Sequence, residues 1–290
     1  VIEYVGHVIR TPSEADSILL QVTAGCSHNR CTFCGAYQGK PFRFKGMGQV
    51  AADISYAAKH FRGIRRLFLC DGDAIVLPQK TLVSILTQIR DELPQVGRIG
   101  LYANAKSIVR KSDDELRELH DLGVKIAYLG LESGDDETLI AVNKGVSVKD
   151  QIEQSLRMKK AGIKLSITAL LGLAGTQRSE VHARETGKAL SLIDPEYVGV
   201  LSVMLVPGTP LHEAQERGVF ELPEPEELLK ELRGLLEATN MTRGQFMSNH
   251  ASNYLPLRLR MPKDKDAGLA LLDEAISGKR SLRPEWMRAL

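Results

Sequence analysis

Ile18-Leu19-Leu20-Gln21-Val22-Thr23-Ala24-Gly25-Cys26-Ser27-His28-Asn29-Arg30-Cys31-Thr32-Phe33-Cys34 joins a short apolar run to three closely spaced cysteines. The run is rich in β-branched and aliphatic residues and ends at a glycine, which reads as a buried strand. Three thiolates on the loop that follows can hold three corners of a [4Fe–4S] cluster and leave the fourth iron without a protein ligand. An open iron is a place for chemistry. A structural zinc site or a closed cluster takes four ligands. Two closures remain available in the sequence: a zinc knuckle with His28 as fourth ligand, and a closed cluster that borrows Cys70. Neither accounts for the rest of the chain.

Cys70 is the fourth and last cysteine and ends the run Leu67-Phe68-Leu69, where it reads as a small buried hydrophobe. Clustered cysteines in a cysteine-poor chain point to a metal site in a reducing compartment rather than to a disulfide framework. The lack of further cysteines leaves no room for a second cysteine-held cluster. The 290 residues can bury a sizeable core, and 43% hydrophobic with 26% charged residues is ordinary for a soluble globular protein. A net charge of +2 gives no indication of nucleic-acid binding. No apolar run of about 18 residues occurs and no signal-peptide pattern opens the chain, so the expectation is a cytoplasmic protein without a membrane partner.

Short apolar runs alternate with helical patterns from residue 18 to about residue 206, the mark of repeated βα units and a parallel sheet. Strands are predicted near Ile18–Thr23, Arg66–Cys70, Ile99–Ala103, Lys125–Leu131, Lys164–Leu171 and Tyr197–Leu205, giving six units in an α/β fold. Between them, Leu77-Pro78 opens a helix whose Leu82, Ile85, Leu86 and Ile89 share one face. Ser112-Asp113-Asp114-Glu115 and Ser147-Val148-Lys149-Asp150 read as helix-start capping boxes. Beyond Pro210 the pattern changes. Pro223 and Pro225 lead into a helix over about 226–239, a polar stretch holds Asn249, His250 and Tyr254, and a last helix covers about 263–276. This divides the chain into an N-terminal extension (1–17), a repeating domain (18–212) and a mainly helical C-terminal extension (213–290).

With these residues in place, the sequence resembles the radical S-adenosylmethionine (radical SAM) superfamily. Cys31-Thr32-Phe33-Cys34 fits the family's Cys-x-aromatic-Cys ending, although four residues separate Cys26 from Cys31 where three are commonest. The resemblance implies an open (β/α)6 partial TIM barrel with its site at the strand C-terminal ends. It also implies that Cys26, Cys31 and Cys34 hold a [4Fe–4S] cluster, with Phe33 beside bound S-adenosylmethionine (SAM). Asp71-Gly72-Asp73-Ala74 is similar to the family's Gly-Gly-Glu element for the SAM amino group. Gly130-Leu131-Glu132-Ser133-Gly134 is similar to the Gly-x-Glu-Ser-Gly element shared by oxygen-independent coproporphyrinogen oxidases, methylthiotransferases and Elongator-type enzymes. There Glu132 would accept hydrogen bonds from SAM hydroxyls, with Ser133 beside it. Gly172, in Leu171-Gly172-Leu173-Ala174-Gly175, falls in a segment near adenine, as do Leu205 and Val206 ahead of Pro207-Gly208-Thr209-Pro210. Arg178 is the expected cation for the SAM carboxylate. Tyr102 and Asn104, after the third strand, face the cavity.

The function so implied is reductive cleavage of SAM to a 5′-deoxyadenosyl radical that abstracts hydrogen from a small-molecule substrate. A reductase, flavodoxin or ferredoxin would supply the electron. The chain shows no recognisable RNA-binding, cobalamin-binding or acetyltransferase segment, which favours a small molecule over tRNA. The competing class is a non-catalytic metalloprotein, a closed iron–sulfur electron carrier or a zinc-binding protein.

Overall fold

A computed structural model describes residues 1–289. In chain order its elements are β1 (Ile18–Gln21), β2 (Thr23–Ala24), β3 (Arg43–Phe44), α1 (Met47–His60), β4 (Arg66–Cys70), α2 (Gln79–Glu92), β5 (Arg98–Ala103), α3 (Ala105–Ile108), α4 (Asp113–Asp121) and β6 (Val124–Glu132). Then come α5 (Asp136–Ala141), α6 (Val148–Lys160), β7 (Lys164–Leu171), α7 (Gly175–Ile193), β8 (Tyr197–Ser202), α8 (Pro210–Glu216), α9 (Pro225–Ala238), β9 (Gly244–Met247), β10 (Arg258–Met261) and α10 (Lys265–Ile276). The six predicted strands are β1, β4, β5, β6, β7 and β8. The described residues form two compact units, residues 1–29, 36–129 and 154–165 in the first and residues 30–35, 130–153 and 166 onward in the second.

In the first unit β1, β4, β5 and β6 lie side by side in that order and run parallel, with Ile18 opposite Leu67, Leu67 opposite Ile99 and Tyr102 opposite Tyr128. β2 and β3 form a separate two-stranded antiparallel ribbon, with Ala24 opposite Arg43. The helices follow their sequence signals. α2 buries Leu82, Ile85, Leu86 and Ile89 on one face. The Ser112 box at the start of α4 is closed in both directions, with the Glu115 N–H on Ser112 Oγ and the Ser112 N–H on Glu115 Oε2. Phe68, Tyr102 and Tyr128 meet edge to face, with Phe68 and Tyr102 centroids 4.9 Å apart.

Glu14 is fully buried in this unit. Its carboxylate accepts hydrogen bonds from Ser17 Oγ and, at 2.5 Å, from Tyr128 Oη, and it pairs with Arg98. A buried carboxylate is tolerated because it is paired and hydrogen-bonded at once. Burial, and then the bond to Glu14, push the Tyr128 hydroxyl well above its usual range.

In the second unit β7 and β8 are parallel, with Ser166 opposite Tyr197 and Leu171 opposite Ser202. β9 adds parallel to β8 and β10 antiparallel to β9. These two short strands lie in a segment read as mainly helical from sequence; four-residue strands carry too few alternations to announce themselves. Pro225 and a Glu224–Glu227 capping box start α9, which buries Leu228, Leu229, Leu232, Leu235 and Leu236. The polar stretch after β9 is tied to β8. Asn253 Oδ1 accepts from Ser202 Oγ at 2.8 Å, and Asn253 Nδ2 donates to Val200 O at 2.7 Å. His250 Nδ1 lies 2.9 Å from Ser252 Oγ, and Tyr254 Oη bonds Glu285 at 2.5 Å while Arg288 lies 4.1 Å from its ring centroid.

The Glu14 network should carry stability rather than chemistry. Glu14→Ala removes the carboxylate that accepts from Tyr128 Oη and pairs with Arg98, and losing one partner of a buried pair costs about 3–5 kcal/mol. The lower end of that range is expected because Arg98 is 31% exposed and can rehydrate. Urea denaturation followed by circular dichroism reads this, and a loss under about 1 kcal/mol would show that the network is not a stabilising one.

Candidate active site

The cysteine loop leaves β2 through Gly25. Cys26 belongs to the first unit, and Cys31 and Cys34 to the second. None of the four cysteines is in a disulfide; these three are half-buried and Cys70 is buried. Burial first, and then the neighbouring Asp71 charge, push the Cys70 thiol up to about 12. A ligand must be a thiolate, so Cys70 is the poorest donor of the four. His28 Nδ1 faces Lys106 Nζ at 2.9 Å. Among the described residues no group of three His, Cys, Asp or Glu side chains could hold a single metal ion. Three accessible thiols with the fourth buried and protonated suit a cluster held at three corners.

Around Cys26 the first unit builds a carboxylate-rich turn at the end of β4. Gly72 has no room for a side chain: a Cβ there would lie 2.8 Å from the Tyr37 ring and 3.1 Å from Cys26 Cβ. Only glycine lets this turn approach the first cysteine so closely. Asp71 and Asp73 on either side are fully buried. Asp73 Oδ2 accepts from Ser27 Oγ at 2.5 Å and from Ser107 Oγ at 2.6 Å, while its Oδ1 is buried without a hydrogen-bond partner. Burial pushes Asp73 up to about 6, against the pull of those two hydroxyls. Asp71 Oδ2 accepts the Gly25 N–H at 3.0 Å and pairs with Lys40, and its Oδ1 is likewise buried without a partner. Orphaned buried carboxylate oxygens are costly, so this turn fits a ligand that brings N–H or O–H donors. Tyr102 packs on Phe68 and Tyr128, and burial leads the causes that raise its hydroxyl well above the usual range. Asn104 Oδ1 caps α3 by accepting the Lys106 N–H at 3.0 Å.

The second unit holds the other half of the loop by its backbone. The Thr32 N–H donates to Val142 O and the Leu211 N–H donates to Thr32 O, both at 3.0 Å, and Asn143 Nδ2 donates to Arg30 O at 3.2 Å. Phe33 packs with Leu205 against a core of Val142, Leu173, Val203 and Leu211. Val206 lies so close to Gly35 that a Cβ there would stand 2.6 Å from Val206 Cγ1. Glu132 adopts a left-handed backbone, φ 63°, and its Oε1 accepts from Lys144 Nζ at 2.9 Å. Such strain in a non-glycine residue persists where the surroundings impose it, and it is commonest at functional sites.

Ser133 and Gly172 are joined through residues that sequence reading did not single out. Ser133 Oγ bonds His182 Nδ1 at 2.7 Å, and His182 Nε2 lies 3.1 Å from Leu170 O and 3.4 Å from Glu231 Oε1. Glu231 accepts the Gly172 N–H at 2.6 Å and the Ser179 hydroxyl. Burial pushes His182 down to about 4 and Glu231 up to about 7. The imidazole is therefore neutral near pH 7; its Nε2 faces two acceptors and carries the proton, so Nδ1 accepts from Ser133. Both residues had a sequence signal. Glu231 stands among Leu228, Leu232 and Leu235 on the buried face of α9, and His182 with Ala183, Thr186 and Leu190 on that of α7.

Arg178 is where the structure departs most from expectation. Its guanidinium holds Asp135 through two bonds, of 3.0 and 2.9 Å, and pairs with Glu137 at 2.8 Å. The cation expected to meet a SAM carboxylate is already engaged by two protein carboxylates, and the paired guanidinium helps hold Asp135 down at about 2, against its burial. It lies on the wall of a cavity of about 220 Å³ lined also by Leu173, Leu211 and Phe220.

The sequence pattern of the radical SAM superfamily matches residues 20–184. An uncharacterized protein of Methanocaldococcus jannaschii is 30% identical over 282 residues, covering 93% of this chain and 79% of the relative. An uncharacterized methyltransferase of Pyrococcus horikoshii is 25% identical over 198 residues, 67% of this chain and 41% of the relative. Among solved structures, the radical SAM methyltransferase TsrM from Kitasatospora setae, seen with cobalamin and a [4Fe–4S] cluster, matches with a TM-score of 0.56 at 19% identity over 71% of this chain and 41% of that one. Coproporphyrinogen III oxidase from Escherichia coli matches with a TM-score of 0.55 at 16% identity over 76% of this chain and 50% of its own. These likenesses identify the fold as the α/β partial barrel, and the chain spans half or less of each of these two solved chains. With a pattern that covers more than half of its length, the chain belongs to the radical SAM superfamily and is an enzyme whose cofactors are a [4Fe–4S] cluster and SAM.

Proposed function

We propose that the enzyme cleaves SAM at a cluster held by Cys26, Cys31 and Cys34 and turns the resulting radical on a small-molecule substrate. When bound, the cluster and SAM supply a 5′-deoxyadenosyl radical after one-electron reduction, with the electron delivered by a flavodoxin- or ferredoxin-type donor in a reducing, cytoplasmic setting. The observation that carries the reading is the set of three accessible thiols, one of them packed against Gly72 between two buried carboxylates. Asp73 offers its unpartnered Oδ1 to the SAM amino group. Glu132, held by Lys144, offers a carboxylate to the ribose hydroxyls. Ser133 and Gly172 are positioned for the same ligand from behind by His182 and Glu231. Phe33, Leu205 and Val206 give apolar surface for adenine and exclude water from the reacting centre. Arg178, paired with Asp135 and Glu137, buttresses the start of α7. Among the described residues no helix is long and apolar enough to cross a membrane.

The proposal fixes which thiol matters. Replacing Cys26, Cys31 or Cys34 by Ala is expected to abolish the cluster's visible absorbance and its iron content after anaerobic reconstitution, whereas Cys70→Ala keeps both. Cluster loss in the Cys70 variant would establish a closed four-cysteine site instead.

Glu132→Ala should keep the cluster and weaken SAM binding by about 1.5–3 kcal/mol, the usual worth of a hydrogen bond to a charged group. Calorimetry on the reconstituted protein reads this, and an unchanged affinity assigns Glu132 to the backbone turn alone. Dithionite-reduced protein given SAM should release 5′-deoxyadenosine and methionine, slowly without substrate. Mass spectrometry that finds neither product, with a full cluster and bound SAM, ends the radical reading.

A further inference from the structure

Asp71 collects groups from both ends of the cysteine loop. On the near side, its Oδ2 accepts the N–H of Gly25, the residue before Cys26. On the far side, beyond Cys34, the same oxygen pairs with the Lys40 ammonium. Tyr37 stands beside them: Lys40 Nζ lies 5.7 Å from its ring centroid, and Asp71 is, after burial, the main cause that raises its hydroxyl above the usual range. One step inside this ring, Asn29 Nδ2 donates to Tyr37 O at 3.3 Å. Lys40 is held in place by a second bond, to His7 O at 2.7 Å. Asp71 is itself fixed, fully buried, with its N–H 3.3 Å from Thr23 Oγ1.

We propose that Asp71 is a positioning residue that clamps the cysteine loop shut at its neck, so that the thiols are held for the cluster before the cluster arrives. The inference rests on the reading that Cys26, Cys31 and Cys34 are the ligands. Tying residue 25 to residue 40 through one carboxylate removes most of the freedom of the chain between them, a loop-closure cost that would otherwise fall on cluster binding. The charges make the clamp firm. Asp71 is fully buried and the Lys40 side chain is only 14% exposed, so the pair is little screened by solvent and its loss leaves an uncompensated buried charge. This assigns Asp71 a task different from that of Asp73, whose partners are Ser27 and Ser107.

The test compares Asp71→Asn, Lys40→Met, the double variant and Lys40→Arg with the parent protein. Asp71→Asn keeps an acceptor for the Gly25 N–H and loses only the charge, so it is expected to fold. Hydrogen exchange of the metal-free proteins, read by mass spectrometry over residues 25–40, should accelerate at least tenfold in Asp71→Asn and Lys40→Met, no further in the double variant, and return toward the parent in Lys40→Arg. Loss of the reconstituted cluster to a chelator should follow the same order. Exchange and cluster loss at the parent's rates in both single variants overturn the clamp, as does a double variant whose effects add. If the parent takes up no cluster at all, the proposed function fails, and the exchange measurement still decides whether Asp71 orders the loop.

Discussion

The cysteine loop has no secondary structure of its own, and everything at this site depends on its being held nonetheless. An unpaired loop keeps its entropy unless side chains and neighbouring backbone remove it. Two sets of bonds do so here. In the first unit the buried Asp71 carboxylate and the Asn29 amide gather the loop's ends. In the second, Thr32 is bonded at its N–H to the end of α5 and at its carbonyl to the start of α8. Neither set uses the thiols. The chain thus fixes the loop with groups that are always present in the protein itself.

The same division of labour appears behind β6 and β7. Glu132 ends one strand with Ser133 next to it, and Gly172 follows the other. His182 and Glu231 join Ser133 to Gly172 from buried positions on α7 and α9. A neutral imidazole and a carboxyl whose pKa is pushed up to about 7 avoid most of the cost of burying full charges. They keep directional hydrogen bonds while avoiding that cost. α9 lies beyond the repeating βα units, yet its one buried carboxyl reaches the glycine after β7. The C-terminal segment is therefore tied to the ends of β7 and β8, as the bonds of Asn253 and Ser252 to β8 also show.

How much of this was legible in the sequence follows from which interactions are local. Strand positions were, because each is a short apolar run bounded by turn residues and alternating with a helical pattern. Helix starts at Ser112 and Ser147 were, because a capping box is written within four residues. The cysteine trio and the glycine-containing strand ends could be picked out as candidates, because each pattern is local. Lys40 with Asp71, Ser107 with Asp73 and His182 with Glu231 were not, because their partners lie 31, 34 and 49 residues apart in the chain and no local pattern couples them. Arg178 shows the opposite case, a residue whose local position was legible while its partners were not. Its position at a helix start suggested a ligand, but Asp135 and Glu137 were near enough to claim it, and a bidentate carboxylate is as good a partner as a substrate.

Asp71 and Asp73 are the same residue type two positions apart, both fully buried, and their partners separate them. Asp71 faces an ammonium, so its charge is neutralised within the protein. Asp73 faces hydroxyls at Oδ2, which stabilise a carboxylate but do not cancel its charge, and burial still pushes it up to about 6. A cation brought to the vacant Oδ1 would favour the ionised form and lower that pKa. It would also satisfy an oxygen that the folded chain leaves without a donor. The turn after β4 thus pairs one carboxylate whose charge is balanced by a lysine with one that has only hydroxyl partners, and in the proposed reading the amino group of SAM would bring the charge and the donors that the second lacks.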